Sequence, residues 1–349
     1  MALDFGGDEE IRFERQARAG IVTLTRPKSL NAVTHNMVLA LERALDAWRD
    51  DDGVEIVAIR AEGRAFSAGG DIVDIYRAGK AGNPPVQFFA DEYRLNAKIA
   101  AYPKPYIALI DGIAMGGGVG VSYHGSHRVV TENAVFAMPE VGIGFFPDVG
   151  GSHILPRLSG AFGVYLGLTG SRIRWGDQLW AGLATHAVEA ARLPAVLEEL
   201  ADTGQVRQVL GAHCVTPERE IDEARVFAIN KHFSLGSLDA VVASLEADAR
   251  EDSFARETLE TIRKKSPTSL HVAFDQIEAG AALEMDECMR MEFRILKRML
   301  AGHDFYEGIR AAVIDKDNAP VWRPASLEEV DPAAIAAHFA PLDDGELKL

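Results

Sequence analysis

Short apolar segments alternate with amphipathic helical patterns over roughly the first 200 residues. Two of these segments, Glu55–Arg60 and Tyr106–Ile110, are apolar on both faces, which is typical of strands that are covered on both sides. The segment 20–25 is a third strand, and Ala134–Ala137 is a short fourth. Behind Thr34, which suits a helix N-cap, apolar residues recur at helical spacing: Met37, Val38, Leu41, Leu45 and Trp48. Buried strands separated by helices predict an α/β core with largely parallel strands.

The pattern changes from about residue 190 onwards. Beyond that point the sequence shows helical segments, most of them with a polar face, and no strand pattern: Val206–Leu210, Val242–Ala247, Thr258–Lys265, Leu270–Ala279 and Met289–Leu300. The sequence therefore predicts two parts, an α/β core over residues 1–200 and a helical region over residues 201–349.

The composition is that of an ordinary globular protein, with 48% hydrophobic and 25% charged residues in a chain of 349. The formal net charge of −16 argues against binding to nucleic acids or to an anionic membrane surface. The two cysteines, Cys214 and Cys288, match neither a disulfide framework nor a metal-binding spacing. The acidic N-terminus resembles neither a secretory signal nor a basic transit peptide, and no apolar segment approaches the ~20 residues of a membrane span. These features together predict a cytoplasmic location.

Two glycine-rich turns each follow a strand and lead into a helix, at Phe66–Asp71 and at Gly112–Gly120. Such turns expose backbone N–H groups at the positive end of a helix. Two of them facing each other can hold one oxygen atom between two donors, which is the oxyanion hole that suits a carbonyl group gaining negative charge. Tight packing of a helix against a strand also favours glycine, and for either turn alone that explanation is the stronger one.

The segment 137–151 places two carboxylates, Glu140 and Asp148, among glycines, prolines and apolar residues. Charged groups rarely lie among apolar side chains unless something offsets their lost hydration. Together with the two glycine turns, the pair predicts an acid/base site that acts on a carbonyl group. The alternatives are a simple loop carboxylate at Glu140 and a helix N-cap at Asp148, a position that aspartate favours.

Other chemistries fit the sequence less well. The second glycine turn lacks the spacing of a dinucleotide-binding fingerprint, and the chain has no phosphate-binding loop ending in Gly-Lys. Ser67 lies in a segment one residue away from a nucleophile elbow, and His338 lies near the C-terminus, where the base of such a hydrolase is expected. His124 and His127 are three residues apart without a third ligand nearby, which favours a surface role over a metal site.

Three motifs resemble the crotonase (enoyl-CoA hydratase/isomerase) superfamily and come in that family's order. The segment 26–32 is similar to its first CoA-contacting loop, and the two glycine turns are similar to its two oxyanion turns. The resemblance implies a crotonase-like ββα spiral core, an acyl-CoA substrate, no metal, and no cofactor apart from the coenzyme A of the substrate. It implies that the N–H groups of Ala68 and Gly117 hold the thioester oxygen and that Lys28 lies near the CoA phosphates or adenine. Within the turns it assigns substrate contacts to Gly69, Gly70, Asp71 and Gly116.

One departure from the hydratases of that superfamily concerns Gly120. Hydratases carry a glutamate there and a second one at the position of Glu140, and the two hold the water that adds across the double bond. Here only Glu140 remains, and Asp148 stands where hydratases usually have a small residue. This combination resembles a thioester-hydrolase branch of the superfamily, which cleaves 3-hydroxyisobutyryl-CoA in valine breakdown. The branch is also similar around Glu92 and in the C-terminal half, so the resemblance covers about residues 10–330.

The resemblance to this branch implies a role for each of three carboxylates. Glu140 acts as a general base on water or as a nucleophile that forms a mixed anhydride, and the sequence leaves both routes open. Asp148 accepts a hydrogen bond from the 3-hydroxyl group of the substrate or helps to protonate the leaving thiolate. Glu92 contacts the hydroxyl end of the acyl group, unless it lies on a solvated helix face.

Three competing functions stay open at this stage: an enoyl-CoA hydratase or isomerase, an inactive acyl-CoA-binding subunit, and a serine hydrolase using Ser67. Gly120 argues against the hydratase, and an intact Glu140 argues against the inactive subunit. Members of the superfamily commonly form trimers or hexamers, which predicts a homo-oligomer here.

Overall fold

The computed structural model describes residues 2–349, which form a mixed α/β fold with a helical C-terminal region, as the sequence predicts. The contacts divide the chain into two compact units, each assembled from three segments. The first unit comprises the residues up to Asp71, Asp91–Phe136 and Ile173–Glu220. The second comprises Ile72–Ala90, Ala137–Arg172 and Ile221–Leu349. The two units are each discontinuous along the chain. The predicted division into residues 1–200 and 201–349 stays a prediction.

The strands and helices of residues 2–349 are as follows. The strands are β1 Ala2–Leu3, β2 Ile11–Gln16, β3 Ala19–Leu24, β4 Ile56–Ala61, β5 Ala65–Ser67, β6 Tyr106–Ile110, β7 Ile113–Met115, β8 His127–Val130, β9 Val135–Ala137, β10 Ile173–Arg174 and β11 His186–Ala187. The helices are α1 His35–Arg49, α2 Ile72–Lys80, α3 Val86–Ala100, α4 Gly117–Gly120, α5 Gly151–Ile154, α6 Phe162–Thr169, α7 Trp175–Trp180, α8 Leu193–Thr203, α9 Val206–His213, α10 Glu223–Phe233, α11 Leu238–Asp248, α12 Ser253–Ile262, α13 Pro267–Gly280, α14 Met285–Met299, α15 Asp304–Ile309 and α16 Pro332–Phe339.

A seven-stranded sheet in the order β1-β2-β3-β4-β6-β8-β11 forms the centre of the first unit. From β3 to β11 all neighbours are parallel, whereas β1, β2 and β3 form an antiparallel edge. Strands β4 and β6 are the two that the sequence shows as apolar on both faces, and they lie side by side in the middle of the sheet. Helices α8 and α9 cover one face, where Leu200 and Leu210 are fully buried with Ile56 and Leu109. The predicted parallel core is confirmed.

Helix α1 begins where the sequence predicts. The side chain of its N-cap, Thr34, accepts a hydrogen bond from the Met37 N–H at 3.2 Å. The apolar positions at helical spacing are buried on its inner face, among them Leu41, Leu45 and Trp48.

A smaller four-stranded sheet in the order β10-β9-β7-β5 carries the two glycine turns. Strands β5 and β7 run parallel, with Ala65 beside Ile113 and Ser67 beside Ala114. Because parallel strands end at the same edge of a sheet, the turns that follow β5 and β7 come out next to each other.

The second unit is predominantly helical. Helix α13 is the central one, and it packs against α5 and α6 as well as α14. None of the helices among residues 2–349 combines the length with the apolar character that crossing a membrane requires.

Candidate active site

The predicted site residues fall into both units. Lys28, Glu92 and the residues of the two glycine turns belong to the first unit, whereas Glu140 and Asp148 belong to the second.

The first glycine turn is fixed by backbone hydrogen bonds to the segment 30–33. The Val33 N–H donates to the Gly69 carbonyl at 2.8 Å, and the Asp71 N–H donates to the Val33 carbonyl at 3.1 Å. Gly69 has a φ of +118°, which only glycine adopts readily. This turn therefore depends on glycine for its path.

Ala68, which the resemblance makes an oxyanion donor, has its N–H engaged within this turn. It donates to the Leu30 carbonyl at 3.0 Å. The N–H of Gly70, two residues later, makes no hydrogen bond to any of residues 2–349. The expectation for Ala68 therefore needs correction, because an N–H that is already bonded to a carbonyl is not free for a substrate oxygen.

The second glycine turn runs from Gly116 into the short helix α4. Gly117 is its first residue, so its N–H has no acceptor within the helix. A Cβ atom at Gly117 would lie 3.3 Å from the backbone nitrogen of Gly70 and 2.7 Å from Oε1 of Glu92. A Cβ atom at Gly118 would lie only 2.3 Å from the carbonyl oxygen of Ser67. The absence of side chains at Gly117 and Gly118 thus lets the two turns approach each other closely.

Glu92 lies on α3 and is 2% exposed, so it does not belong to a solvated helix face. Its neighbour Asp91 forms ion pairs with His35 and with Arg94. The buried carboxylate of Glu92 therefore lies beside the second turn as a candidate substrate contact.

Two residues of the segment 26–32, which resembles a CoA-contacting loop, differ in exposure and role. Lys28 is exposed in a short 3-10 turn, Pro27–Ser29. Asn31 is completely buried, and sequence reasoning missed it. Its amide donates to the carbonyls of Glu62 and Ala65, each at 2.8 Å, and its Oδ1 accepts from the Arg26 N–H at 2.8 Å. Asn31 therefore holds the loop against the strand that leads into the first glycine turn.

Asp71 closes the first turn with an ion pair. Its Oδ2 lies 3.1 Å from a guanidinium nitrogen of Arg26. Arg26 belongs to the segment 26–32, so Asp71 ties that segment to the turn and its carboxylate is already paired.

Glu140 in the second unit begins a 3-10 turn, Glu140–Ile143, directly after Pro139. The side chain is 6% exposed, and its Oε2 atom has no hydrogen-bond partner among residues 2–349. Burial raises the pKa of Glu140 well above its usual range, and the nearby charge of Asp148 raises it further. A buried carboxylate with an unpaired oxygen and a raised pKa has the properties of a general base or a nucleophile.

Asp148 is 5% exposed and lies in the turn before α5. The N-cap of α5 is Gly150, with no side-chain cap, so Asp148 is not the helix cap that its position suggested. The turn is tight, with positive φ values of +50° at Val149 and +87° at Gly150.

Glu292, on α14, is a third buried carboxylate near this turn and was missed from the sequence. It is completely buried and accepts hydrogen bonds from the N–H groups of Gly150 and Ser152. Burial raises its pKa to about 8, although these hydrogen bonds act in the opposite direction. One signal in the sequence could have found it, because Glu292 occupies an apolar position of the helix, four residues after Cys288 and four before Leu296.

The serine-hydrolase and histidine-metal alternatives lose support. Ser67 is completely buried, and its hydroxyl has no hydrogen-bond partner among the described residues, so no histidine activates it. The grouping of three candidate metal ligands found in residues 2–349 involves neither His124 nor His127. His127 instead stacks on His186, with ring centroids 5.8 Å apart.

Comparisons with known proteins agree with the superfamily resemblance. The sequence model of the enoyl-CoA hydratase/isomerase family matches residues 19–339. A mitochondrial 3-hydroxyisobutyryl-CoA hydrolase of Danio rerio is 45% identical, and the match covers 97% of this chain and 92% of the relative.

Two similar crystal structures are 39% identical to this chain. One is described as a carnitinyl-CoA dehydratase from Mycobacterium thermoresistibile, with a TM-score of 0.91 over 98% of this chain and 99% of that one. The other is described as an enoyl-CoA hydratase from Rhodobacter sphaeroides 2.4.1, with a TM-score of 0.87 over 97% of this chain and 100% of that one. They confirm the predicted crotonase-like fold.

The cytoplasmic location expected from the sequence is corrected by the comparison with sequence relatives. The Danio rerio relative is named as a mitochondrial protein, which contradicts that expectation. Composition and cysteine content do not distinguish between compartments that are both reducing.

Proposed function

We propose that this chain, which belongs to the enoyl-CoA hydratase/isomerase family, hydrolyses a 3-hydroxyacyl-CoA thioester, with 3-hydroxyisobutyryl-CoA as the substrate. The products are 3-hydroxyisobutyrate and free coenzyme A. The similarity to the Danio rerio 3-hydroxyisobutyryl-CoA hydrolase supports this substrate. The observation that carries the proposal is the buried pair of Glu140 and Asp148, combined with glycine at position 120.

The thioester oxygen needs hydrogen-bond donors as it gains negative charge. We assign this role to the N–H groups of Gly70 and Gly117, in place of the pair Ala68 and Gly117. The engaged N–H of Ala68 and the short approach between Gly70 and Gly117 support the change. Removing one such donor typically costs on the order of 10²–10³ in rate.

Glu140 promotes attack on the acyl carbon by one of two routes. As a general base it takes a proton from water, the hydroxide adds to the carbonyl carbon, and the C–S bond breaks to release the thiolate of coenzyme A. As a nucleophile its carboxylate displaces the thiolate and forms a mixed anhydride, which water then hydrolyses. Both routes need the ionised form of Glu140, and the free Oε2 suits either one.

Asp148 and Glu92 recognise the hydroxyl end of the acyl group in this proposal. The hydroxyl donates a hydrogen bond to these carboxylates, so an acyl group without the hydroxyl loses that bond and binds more weakly. The alternative role for Asp148 is to help deliver a proton to the leaving thiolate. Lys28, exposed in its loop, binds the CoA phosphates or adenine. We expect a homo-oligomer, a trimer or hexamer, which sedimentation equilibrium would establish.

Release of free thiol from 3-hydroxyisobutyryl-CoA tests the proposal. We expect the wild-type protein to be active, Glu140→Gln to lose at least about 10³-fold in kcat, and Glu278→Gln to match the wild type, because Glu278 is an exposed residue of α13. Full activity in Glu140→Gln would contradict the mechanism.

The same preparation should also be offered crotonyl-CoA, because the Rhodobacter sphaeroides structure is described as an enoyl-CoA hydratase. Fast hydration of crotonyl-CoA with negligible thiol release would favour the hydratase instead. We expect the reverse, since Gly120 removes the second carboxylate that holds the water in hydratases.

A further inference from the structure

We propose that Glu292 is a positioning residue that holds Asp148 in the geometry needed for thioester cleavage, an inference that rests on the proposed function. Glu292 lies on α14, about 140 residues beyond the turn that it contacts.

The hydrogen bonds of Glu292 go to Gly150 and Ser152, which lie just after the Asp148–Val149 corner. The Gly150 N–H donates to Oε2 at 2.9 Å, and the Ser152 N–H donates to Oε1 at 3.0 Å. The Ser152 hydroxyl donates to the same Oε1. Both carboxylate oxygens are therefore used, and the side chain is completely buried. A single side chain thus fixes the start of α5, three residues after Asp148.

The other side of the corner is held by α13. The Gln276 amide donates to the Pro147 carbonyl at 2.6 Å. A Cβ atom at Gly280 would lie only 1.9 Å from the Ser152 carbonyl oxygen, so the backbones of α13 and α5 are in direct contact. Asp148 therefore lies between an anchored residue before it and anchored residues after it.

These contacts hold Val149 in an unfavourable backbone conformation. Its φ of +50° is rare for a β-branched residue, and such conformations persist only where the surroundings over-determine them. If Glu292 did not bind the N–H groups of Gly150 and Ser152, the corner could relax, and the carboxylate of Asp148 would move with it.

The choice of a carboxylate at position 292 supports a functional role over a purely structural one. Burying a charge near two other carboxylates is costly, and apolar residues often serve stability as well or better. The raised pKa of Glu292 reflects that cost, to which the charge of Asp148 contributes. Three donors meet two oxygens here, whereas glutamine would offer one oxygen and place an NH₂ group against an N–H.

A double-mutant cycle with Glu292→Gln and Asp148→Asn tests the proposal. A displacement of about 1 Å in a reacting group can cost about 10²-fold, so we expect Glu292→Gln to lower kcat by roughly that factor with KM changed by less than about threefold. In the Asp148→Asn background the same change should lower kcat by less than about threefold, because the residue being positioned no longer acts. The matched control Glu278→Gln should have no effect in either background.

Equal losses in both backgrounds would overturn the proposal, since a general structural role would act independently of Asp148. Ser152→Ala removes only one of the three donors and should give a smaller loss in the same direction.

A second measurement does not depend on the reaction. Hydrogen exchange of the backbone amides at 149–152 should accelerate in Glu292→Gln and stay unchanged in Glu278→Gln. If the wild type released no coenzyme A, the proposed function would fail. Hydrogen exchange would still test whether Glu292 anchors the corner. If the wild type is active and neither exchange nor kcat responds to Glu292→Gln, the positioning role fails alone.

Discussion

The substitution Gly117→Ala tests the assignment of the oxyanion hole most sharply. Gly117 begins α4 with a backbone conformation that alanine can adopt, so the added methyl group is the perturbation. That methyl would lie 2.7 Å from Oε1 of Glu92 and 3.3 Å from the Gly70 nitrogen. The first distance is too short for two non-bonded atoms, so the Glu92 carboxylate must move. The second distance places the methyl beside the N–H groups that we assign to the thioester oxygen.

The expected loss is that of one oxyanion donor, about 10²–10³ in kcat/KM or roughly 2.7–4 kcal/mol in the transition state. The assay is thiol release from 3-hydroxyisobutyryl-CoA, with thermal unfolding measured on the same samples. Gly211→Ala is the matched control, since a Cβ at this exposed position of α9 meets nothing within 4 Å. It should keep full activity and gain about 0.5–1 kcal/mol of stability from the better helix former. A Gly117→Ala protein within threefold of wild-type kcat/KM would refute the assignment.

Three further predictions concern the carboxylates and one pair of histidines. Asp148→Asn should lower kcat/KM for 3-hydroxyisobutyryl-CoA about tenfold more than for isobutyryl-CoA, because only the first substrate offers a hydroxyl group. Equal losses with the two substrates would instead assign Asp148 to protonation of the leaving thiolate. Burial and the charge of Asp148 raise the pKa of Glu140, so the acid limb of the pH profile of kcat/KM should lie at a higher pH than an ordinary glutamate gives. In Asp148→Asn this limb should move to lower pH. An unmoved limb would contradict the effect of Asp148 on Glu140. Burial lowers the pKa of both His127 and His186 below the usual value of about 6.5, so the unfolded chain takes up protons first as pH falls. The stability that these two histidines contribute above about pH 6.5 should therefore be lost as the pH falls further. The melting temperature of His127→Gln should accordingly change less between pH 7.5 and pH 5 than that of the wild type.

Local patterns were sufficient to predict β3, β4 and β6 of the seven-stranded sheet. Strands β4 and β6 are apolar on both faces because they lie in the middle of a parallel sheet, and Thr34 marks the start of α1 because its hydroxyl caps that helix. The burial of Glu140 and Asp148 also agrees with their apolar surroundings in the sequence.

The features that the sequence did not reveal depend on contacts between distant segments. The resemblance assigned the first oxyanion donor to Ala68, and the hydrogen bond from the Ala68 N–H to the Leu30 carbonyl, which exists only in the folded loop, points to Gly70 instead. Glu292 lies far along the chain from Asp148, so no local motif connects the two. Asn31 supports the first turn by bonding to carbonyls more than thirty residues away, which spacing alone could not predict.

Product analysis with the wild-type protein tests the central claim most directly. One sample of 3-hydroxyisobutyryl-CoA would be followed by proton NMR for the acid and by a thiol reagent for coenzyme A. We predict equal amounts of 3-hydroxyisobutyrate and free thiol, formed together until the substrate is consumed. Consumption of the thioester with the acyl–CoA bond intact, as in loss of water to an enoyl-CoA, would contradict hydrolysis as the function.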